Sequence, residues 1–423
     1  MSNLTDPLDI RYGAELRGLQ VVRQASPAGA ASFSATYLGP AGWGFDPPAD
    51  AATARTVNAL LTSGAGPYDR VALARRLDEA GATLTTECAP ESAEVTIWGP
   101  AAHWADLLEL LAHVVLRPRL EDEDLVRVRR QLAERQLREL SQPANRAARE
   151  LLRSIYPEGH PYRTSGLGDA RSIRRLTPER VRRFHRDHYT SGEGLLVVTA
   201  PATIAAVNSV ARRCFSEFSQ ERGPTLRLPA VRPRPNRTVT VDLKGRSQVE
   251  IRIGGDSIAR SDPIYPAAFL ADEILGGRAQ LSRLFQQIRE KDGMVYHASS
   301  HLEAMRFGGY WTVGAGTAAE HWKTVVALLE RELGRMRRRE VTPAELEEIR
   351  ESAVGEIPLA LESTADAHEL AVDVAYHRLP GDYWKQWKTT LRSVRPRDVR
   401  SAVDRAMDGR NAVTVLAGPV SAG

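Results

Sequence analysis

Cysteine is nearly absent from this chain: Cys88 and Cys214 are the only two in 423 residues. That excludes a disulfide framework and a zinc finger built on four Cys and His ligands. Two thiols so far apart read as unpaired groups in a reducing compartment. Lysine is scarce too, with five among 57 basic residues, and the net charge is only +4. The densest basic run, Arg335 to Arg339 (RMRRR), therefore reads as a solvated helix end with cations near the last carbonyls, not as a phosphate track. No apolar run approaches the roughly 20 residues that span a bilayer. The opening MSNLTDPLDIRYG shows neither the basic nor the apolar segment of a secretory signal. Gly276 and Gly277 stand outside any phosphate-loop pattern and read as a tight turn before a helix. Together these absences point to a cytoplasmic protein that binds neither membrane nor nucleic acid.

What is present is a globular composition, 42% hydrophobic and 26% charged, over a length that calls for more than one core. The chain reads as two similar halves. The first opens with the alternating runs GLQVVRQASP and SFSATYLGP and closes with LTPERVRRFHRDHY followed by GLLVVTAP. The second opens with RTVTVDLKG and VEIRIGG and closes with VRPRDVRSAVDRAM followed by NAVTVLAGP. Thr177-Pro178 and Arg395-Pro396 each mark a helix start, since proline suits a first helical turn. Between the halves, Ser219 to Arg237 carries four prolines and no helical period, so it reads as an extended crossover. The expectation is an α+β protein of two homologous tandem domains, 1–218 and 238–423, joined by a Pro-rich linker at 219–237.

The residues able to carry chemistry are few. The spacing predicts a helix from Gln280 to Lys291 with Leu281, Leu284, Phe285 and Ile288 on one face. Gly293 is its stop, and a strand follows in which Val295, His297 and Ser299 alternate. Arg289 then projects from the last helical turn and Tyr296 from the first strand residues, so both reach one region of space. His185 and His188, three apart on a stretch that reads as a helix, lack an obvious third ligand and read as structural. His160 reads as fixing a turn with Pro161. His297 and His301 share a strand face.

Several of these strings resemble the insulinase/pitrilysin family of zinc peptidases, the inverzincin type. They include GLQVV, LLTSG, RRLDEAGATLTTE, the stretch from His160 to Tyr189, and above all EILGGRAQLSRLFQQIREKDGMVYHASSHLE. In that family the helix read at Ala52–Gly64 (ATARTVNALLTSG) carries His-x-x-Glu-His, two ligands and a general base on one helix face. Here the matching positions are Arg55, Thr56, Val57, Asn58 and Ala59, and Arg55, Asn58 and Ala59 supply neither ligand nor base. The family's third ligand, a later Glu, falls nearest Glu134, with Glu139 as the alternative. The resemblance assigns Arg289 and Tyr296 to holding peptide carbonyls and stabilising an oxyanion. It implies no metal in this chain and a homologous partner that carries the motif and the zinc. The two chains would close like a clam shell around a peptide, which adds a strand to a sheet edge. Alone, such a subunit would be inactive; the pair would be a heterodimeric metalloendopeptidase, with a leader or precursor peptide as a candidate substrate. The alternative is a non-catalytic peptide-binding or scaffold protein of the same fold.

Overall fold

The computed structural model describes residues 6–47, 50–189, 193–218, 225–232, 236–290 and 293–420. Helices and sheets are mixed throughout, as expected of an α+β chain. Two compact units form, and neither is continuous in sequence. The first gathers Met1–Gln136, Ser165–Leu228 and Ile357–Gln386; the second gathers Leu137–Thr164, Pro229–Glu356 and Trp387–Gly423.

The first unit is built on strands β1 (Arg11–Leu16), β2 (Leu19–Ala25) and β3 (Ser32–Gly39), a two-residue hairpin of β4 (Gly64–Ala65) and β5 (Tyr68–Asp69), then β6 (Thr83–Cys88), β7 (Ala93–Pro100) and β8 (Gly194–Ala200). Apart from the hairpin they make one six-stranded sheet in the order β1-β2-β8-β3-β7-β6. The second unit holds β9 (Arg237–Asp242), β10 (Gln248–Ser257), β11 (Val295–Ala304), β12 (Gly309–Ala318) and β13 (Val413–Gly418), in the order β11-β12-β10-β13-β9. The closing strand of each half inserts between its first strands. β8 lies parallel to β2 and antiparallel to β3. β13 does the same between β9 and β10. The duplication read in the sequence is thus a duplication of sheet topology.

The compact units cross the boundaries drawn at 1–218, 219–237 and 238–423 for a physical reason. Each sheet must be covered on two faces, and one cover comes from the other half of the sequence. On one face of the first sheet, helices Thr53–Leu60, Trp104–Leu116 and Ile204–Cys214 pack with Phe33, Tyr37 and Ile97. Its other face receives helix Thr364–Tyr376, which sets Ala371, Val372, Val374 and Ala375 against Val22, Leu38 and Val197. Burying side chains such as Val372 and Val374 stabilises by roughly 1.5–3 kcal/mol each. Reciprocally, helix Pro143–Ile155 brings Ala147, Leu151 and Ile155 onto Val413, Val415 and Ala417 of the second sheet. It approaches so closely that a Cβ on Gly254 would meet Leu151 at 3.0 Å and the Trp311 carbonyl at 2.3 Å. Of the linker, residues 219–224 and 233–235 lie outside the described residues, and 225–232 form neither helix nor strand.

The helix received by the first sheet is also pinned by a polar chain with a fixed direction. Gln24 donates its amide to the Pro7 carbonyl at 2.7 Å, so its oxygen accepts from Thr199 at 2.8 Å. Thr199, having given its proton, accepts from Nδ1 of His368 at 2.8 Å. Nε2 of His368 then accepts from Thr36 at 2.8 Å, and Thr36 accepts from Thr96 at 2.7 Å. His368 is fully buried, and desolvation holds its pKa down to about 3.

Candidate functional site

The motif helix Thr53–Leu60 begins at a charged cap. The Asp46 carboxylate accepts from the backbone N–H of Ala52 at 2.8 Å and of Ala54 at 2.7 Å, and Ala52 takes a left-handed φ of 79°. Burial pushes the Asp46 carboxyl up to about 7 against the pull of those two donors. The three degenerate positions that follow are absorbed into packing. Arg55 lays its guanidinium over Trp43, 4.3 Å from the ring centroid, and donates to the Ser165 carbonyl at 2.7 Å. Asn58 is buried and donates its amide to the carbonyls of Glu87 at 2.9 Å and Glu94 at 3.3 Å, which face each other across β6 and β7. Ala59 packs against the apolar core.

These positions do not fit a zinc ion. A guanidinium has no lone pair to give, the Asn58 nitrogen is a committed donor, and an alanine Cβ ligates nothing. Glu134 and Glu139 both lie on helix Asp122–Ser141, with Glu134 exposed on its surface. Among the described residues no three His, Cys, Asp or Glu side chains converge as a metal site. His185 and His188 are buried on helix Pro178–His188 and bond the carbonyls of Val115 at 2.8 Å and Pro40 at 2.9 Å. Burial lowers both pKa values, that of His185 to about 4. His160 caps its turn by accepting from the Tyr162 N–H at 3.1 Å. Cys88 and Cys214 are unpaired, and burial raises the Cys88 thiol to about 12.

The second place of interest is the edge of the second sheet. The helix expected over 280–291 is broken: a 3₁₀ turn at Ala279–Leu281 ends at Ser282, and Arg289 sits in a π-helical turn, Phe285–Glu290. Such turns widen a helix and re-aim its side chains. Gly293 takes the left-handed φ of 62° that a helix stop requires. Lys291 and Asp292 lie outside the described residues. β11 then opens on a bulge: Val295 pairs with Thr317 and His297 with Gly316, so Tyr296 is the extra residue. This corrects the simple alternation read from the sequence. Val295 is buried, whereas His297, Ser299 and His301 lie on the opposite face. Tyr296 is 57% exposed. Arg289 is exposed as well, with its guanidinium 5.1 Å from the Phe285 ring centroid. Neither side chain makes a hydrogen bond or ion pair among the described residues. Both are donors free to take an acceptor from outside.

His297 and His301 share one sheet face, as read. Nε2 of His297 lies 3.5 Å from Glu250, and Nε2 of His301 lies 2.9 Å from Glu303, which raises the His301 pKa. Sequence patterning missed Asp46, His368 and Arg252, the last a cation on the central strand β10. The run VEIRIGG carries a signal for it, charged Glu250 and Arg252 alternating with Val249, Ile251 and Ile253.

Residues 175–353 match the family described as the peptidase M16 inactive domain. An uncharacterized zinc protease of Streptomyces coelicolor is 29% identical over 276 residues, covering 60% of this chain and 56% of that protein. The chain spans about half the length of the curated relatives it matches. Among solved structures, a peptidase M16 inactive domain from Pseudomonas fluorescens superposes with a TM-score of 0.91 at 22% identity, covering 98% of this chain and 99% of that one. The periplasmic protease PqqL of Escherichia coli superposes with a TM-score of 0.79 at 16% identity, covering 98% of this chain and 47% of its own.

Proposed function

The chain belongs to the peptidase M16, insulinase-like family, and on that premise we propose that it is the zinc-free, substrate-clamping subunit of a two-chain metallopeptidase acting on peptides. One observation carries the reading. The motif helix has surrendered its chemistry to packing through Arg55, Asn58 and Ala59, while Arg289 and Tyr296 remain exposed and uncommitted. A guanidinium on the turn before an edge strand and a phenol on that strand, neither with a hydrogen bond of its own among the described residues, are suited to the carbonyl oxygens of an extended peptide. Their donors would strengthen on an oxygen that becomes an anion. The metal and the base would come from a homologous partner chain bearing His-x-x-Glu-His. The length of PqqL supports this, since this chain aligns with 47% of it and leaves a remainder of similar size.

The pair would work in the cytoplasm, where unpaired Cys88 and Cys214 are at home. Among the described residues no helix is long and apolar enough to cross a membrane. Precursor or leader peptides are the substrates in this reading. The test is sedimentation of the chain mixed with a homologue that carries the intact motif. A one-to-one complex that cleaves peptides, with neither chain active alone, is the expected result. Separate sedimentation at micromolar concentration would overturn the pair and leave a peptide-binding scaffold of the same fold.

A further inference from the structure

On the face of the second sheet that helix Pro143–Ile155 covers at Val413, Val415 and Ala417, β10 carries a cation that the fold does not use. β10 is the central strand, and Arg252 sits in its middle, half-buried. Its side chain crosses Gly314 of β12, where an added Cβ would lie 2.6 Å from the guanidinium. Glycine there lets the arginine lie flat on the sheet. Yet Arg252 makes no hydrogen bond or ion pair among the described residues, and its Nε is sealed from water without a partner. Leaving a buried charged donor unpaired is costly, so such groups are normally matched.

Of the neighbouring carboxylates, Glu303 bonds His301, while Glu250 approaches His297 at 3.5 Å across Gly316 and leaves its buried Oε2 without a hydrogen bond. The strand register places donors around Arg252 instead. Ser299 lies beyond Gly314 in the same row. The next row is Gly254, Thr312 and His301, and the buried Thr312 hydroxyl is again without a partner. Tyr296 opens the same edge strand.

We propose that Arg252, with Ser299, Thr312 and His301 beside it, binds a carboxylate of the peptide held by Arg289 and Tyr296, so that the chain selects peptides bearing an acidic group. This deepens the clamp reading and rests on it. The carboxylate can belong to an Asp or Glu side chain or to the peptide's own C-terminus; the chemistry recognised is the same. Arginine suits it because the planar fork can hold both oxygens.

The experiment uses fluorescently labelled heptapeptides in which a single Glu is moved through the sequence. Each is compared with its Gln counterpart and made with a free or amidated C-terminus. Anisotropy is read against the full chain and its Arg252→Met variant. The expected result is one position, internal or terminal, at which removing the charge weakens binding roughly tenfold in the unmodified chain and not in Arg252→Met. An internal Glu identifies the side chain as the source, and sensitivity to amidation identifies the C-terminus. Binding that ignores charge at every position overturns the carboxylate site and leaves the clamp standing. If no peptide binds, the clamp reading fails, and a second measurement decides the site. Sodium acetate, compared with chloride at equal ionic strength, should raise the melting temperature of the unmodified chain and not of Arg252→Met. An equal response of the two proteins overturns the site. A melting temperature that falls sharply on Arg252→Met alone, with no acetate effect, assigns Arg252 to the fold instead.

Discussion

The side-chain amide of Asn58 donates to the main-chain carbonyl of Glu87 across 2.9 Å, and with its second bond to Glu94 it ties the motif helix to two paired strands. A glutamate at this position would aim a carboxylate at those same carbonyls. Nearby, Glu94 is itself half-buried, and its carboxyl is pushed up to about 7 by desolvation and by Glu369 and Glu87. The site therefore opposes the negative charge that a general base needs.

Rebuilding the motif should accordingly damage the fold before it restores chemistry. Asn58→Glu is expected to destabilise by about 3 kcal/mol or more, because it buries an unpaired charge and leaves carbonyls without donors. Adding Arg55→His and Ala59→His removes the stacking on Trp43 and crowds a packed surface. Denaturant unfolding measures the loss, and metal analysis of whatever remains folded should find no stoichiometric zinc. A triple variant as stable as the parent with one tightly held zinc would show that the motif positions retain a metal-binding geometry.

The reciprocal helices predict how the chain can be divided. Residues 1–218 lack helix Thr364–Tyr376 and would expose Val22, Leu38 and Val197 to water. The two halves, produced separately with a cut in the linker, should each fail to give a cooperative unfolding transition. Mixed during refolding, they should regain one. Independent cooperative folding of residues 1–218 would mean that the helix decorates a sheet already stable without it.

Much of this arrangement is legible in the sequence, and the illegible parts share a cause. Alternation placed β2, β3, β9 and β10, and proline with a threonine cap placed helix Pro178–His188, because those signals are local. The helix exchange is not local: helices Pro143–Ile155 and Thr364–Tyr376 are amphipathic, but no periodicity says which sheet they cover. The bulge at Tyr296 and the π turn at Arg289 are likewise set by register against β12 and by packing under the turn, so spacing alone reads a regular helix and strand where the fold has neither. Asn58 and His368 read as ordinary polar residues until their partners, distant in sequence, are known.

His368 also sets a pH dependence. Its folded pKa is lowered from 6.5 to about 3 by desolvation, so between those values the unfolded chain binds the extra proton. The stability this neutral imidazole represents is fully present above pH 6.5 and falls as the pH drops toward 3. At pH 5 the loss is about 2 kcal/mol for one such group. The difference in unfolding free energy between the parent and His368→Gln isolates this residue from the carboxylates, whose raised pKa values act with the opposite sign. That difference should shrink as pH falls from 7 to 4. A difference independent of pH would mean that His368 titrates normally in the folded chain.

The functional prediction turns on the edge of the second sheet. In the assembled pair, Tyr296→Phe removes one donor with little change of shape. If that donor meets an oxygen whose charge exists only near the transition state, the loss falls on turnover. By comparison with other oxyanion donors it should lower kcat by roughly 10²-fold, about 3 kcal/mol, with little effect on KM. Arg289→Ala should cost at least as much and raise KM as well, since the guanidinium also positions the peptide backbone. Neither substitution should unfold the chain, because both side chains are exposed and make no ion pair or hydrogen bond among the described residues. Zinc content of the pair should stay constant in both variants, which separates lost clamping from lost metal. Steady-state kinetics on a cleavable peptide, with zinc analysis of the same samples, makes the comparison. Unchanged kcat in both variants would remove Arg289 and Tyr296 from the chemistry and leave the exposed edge strand as a binding surface only.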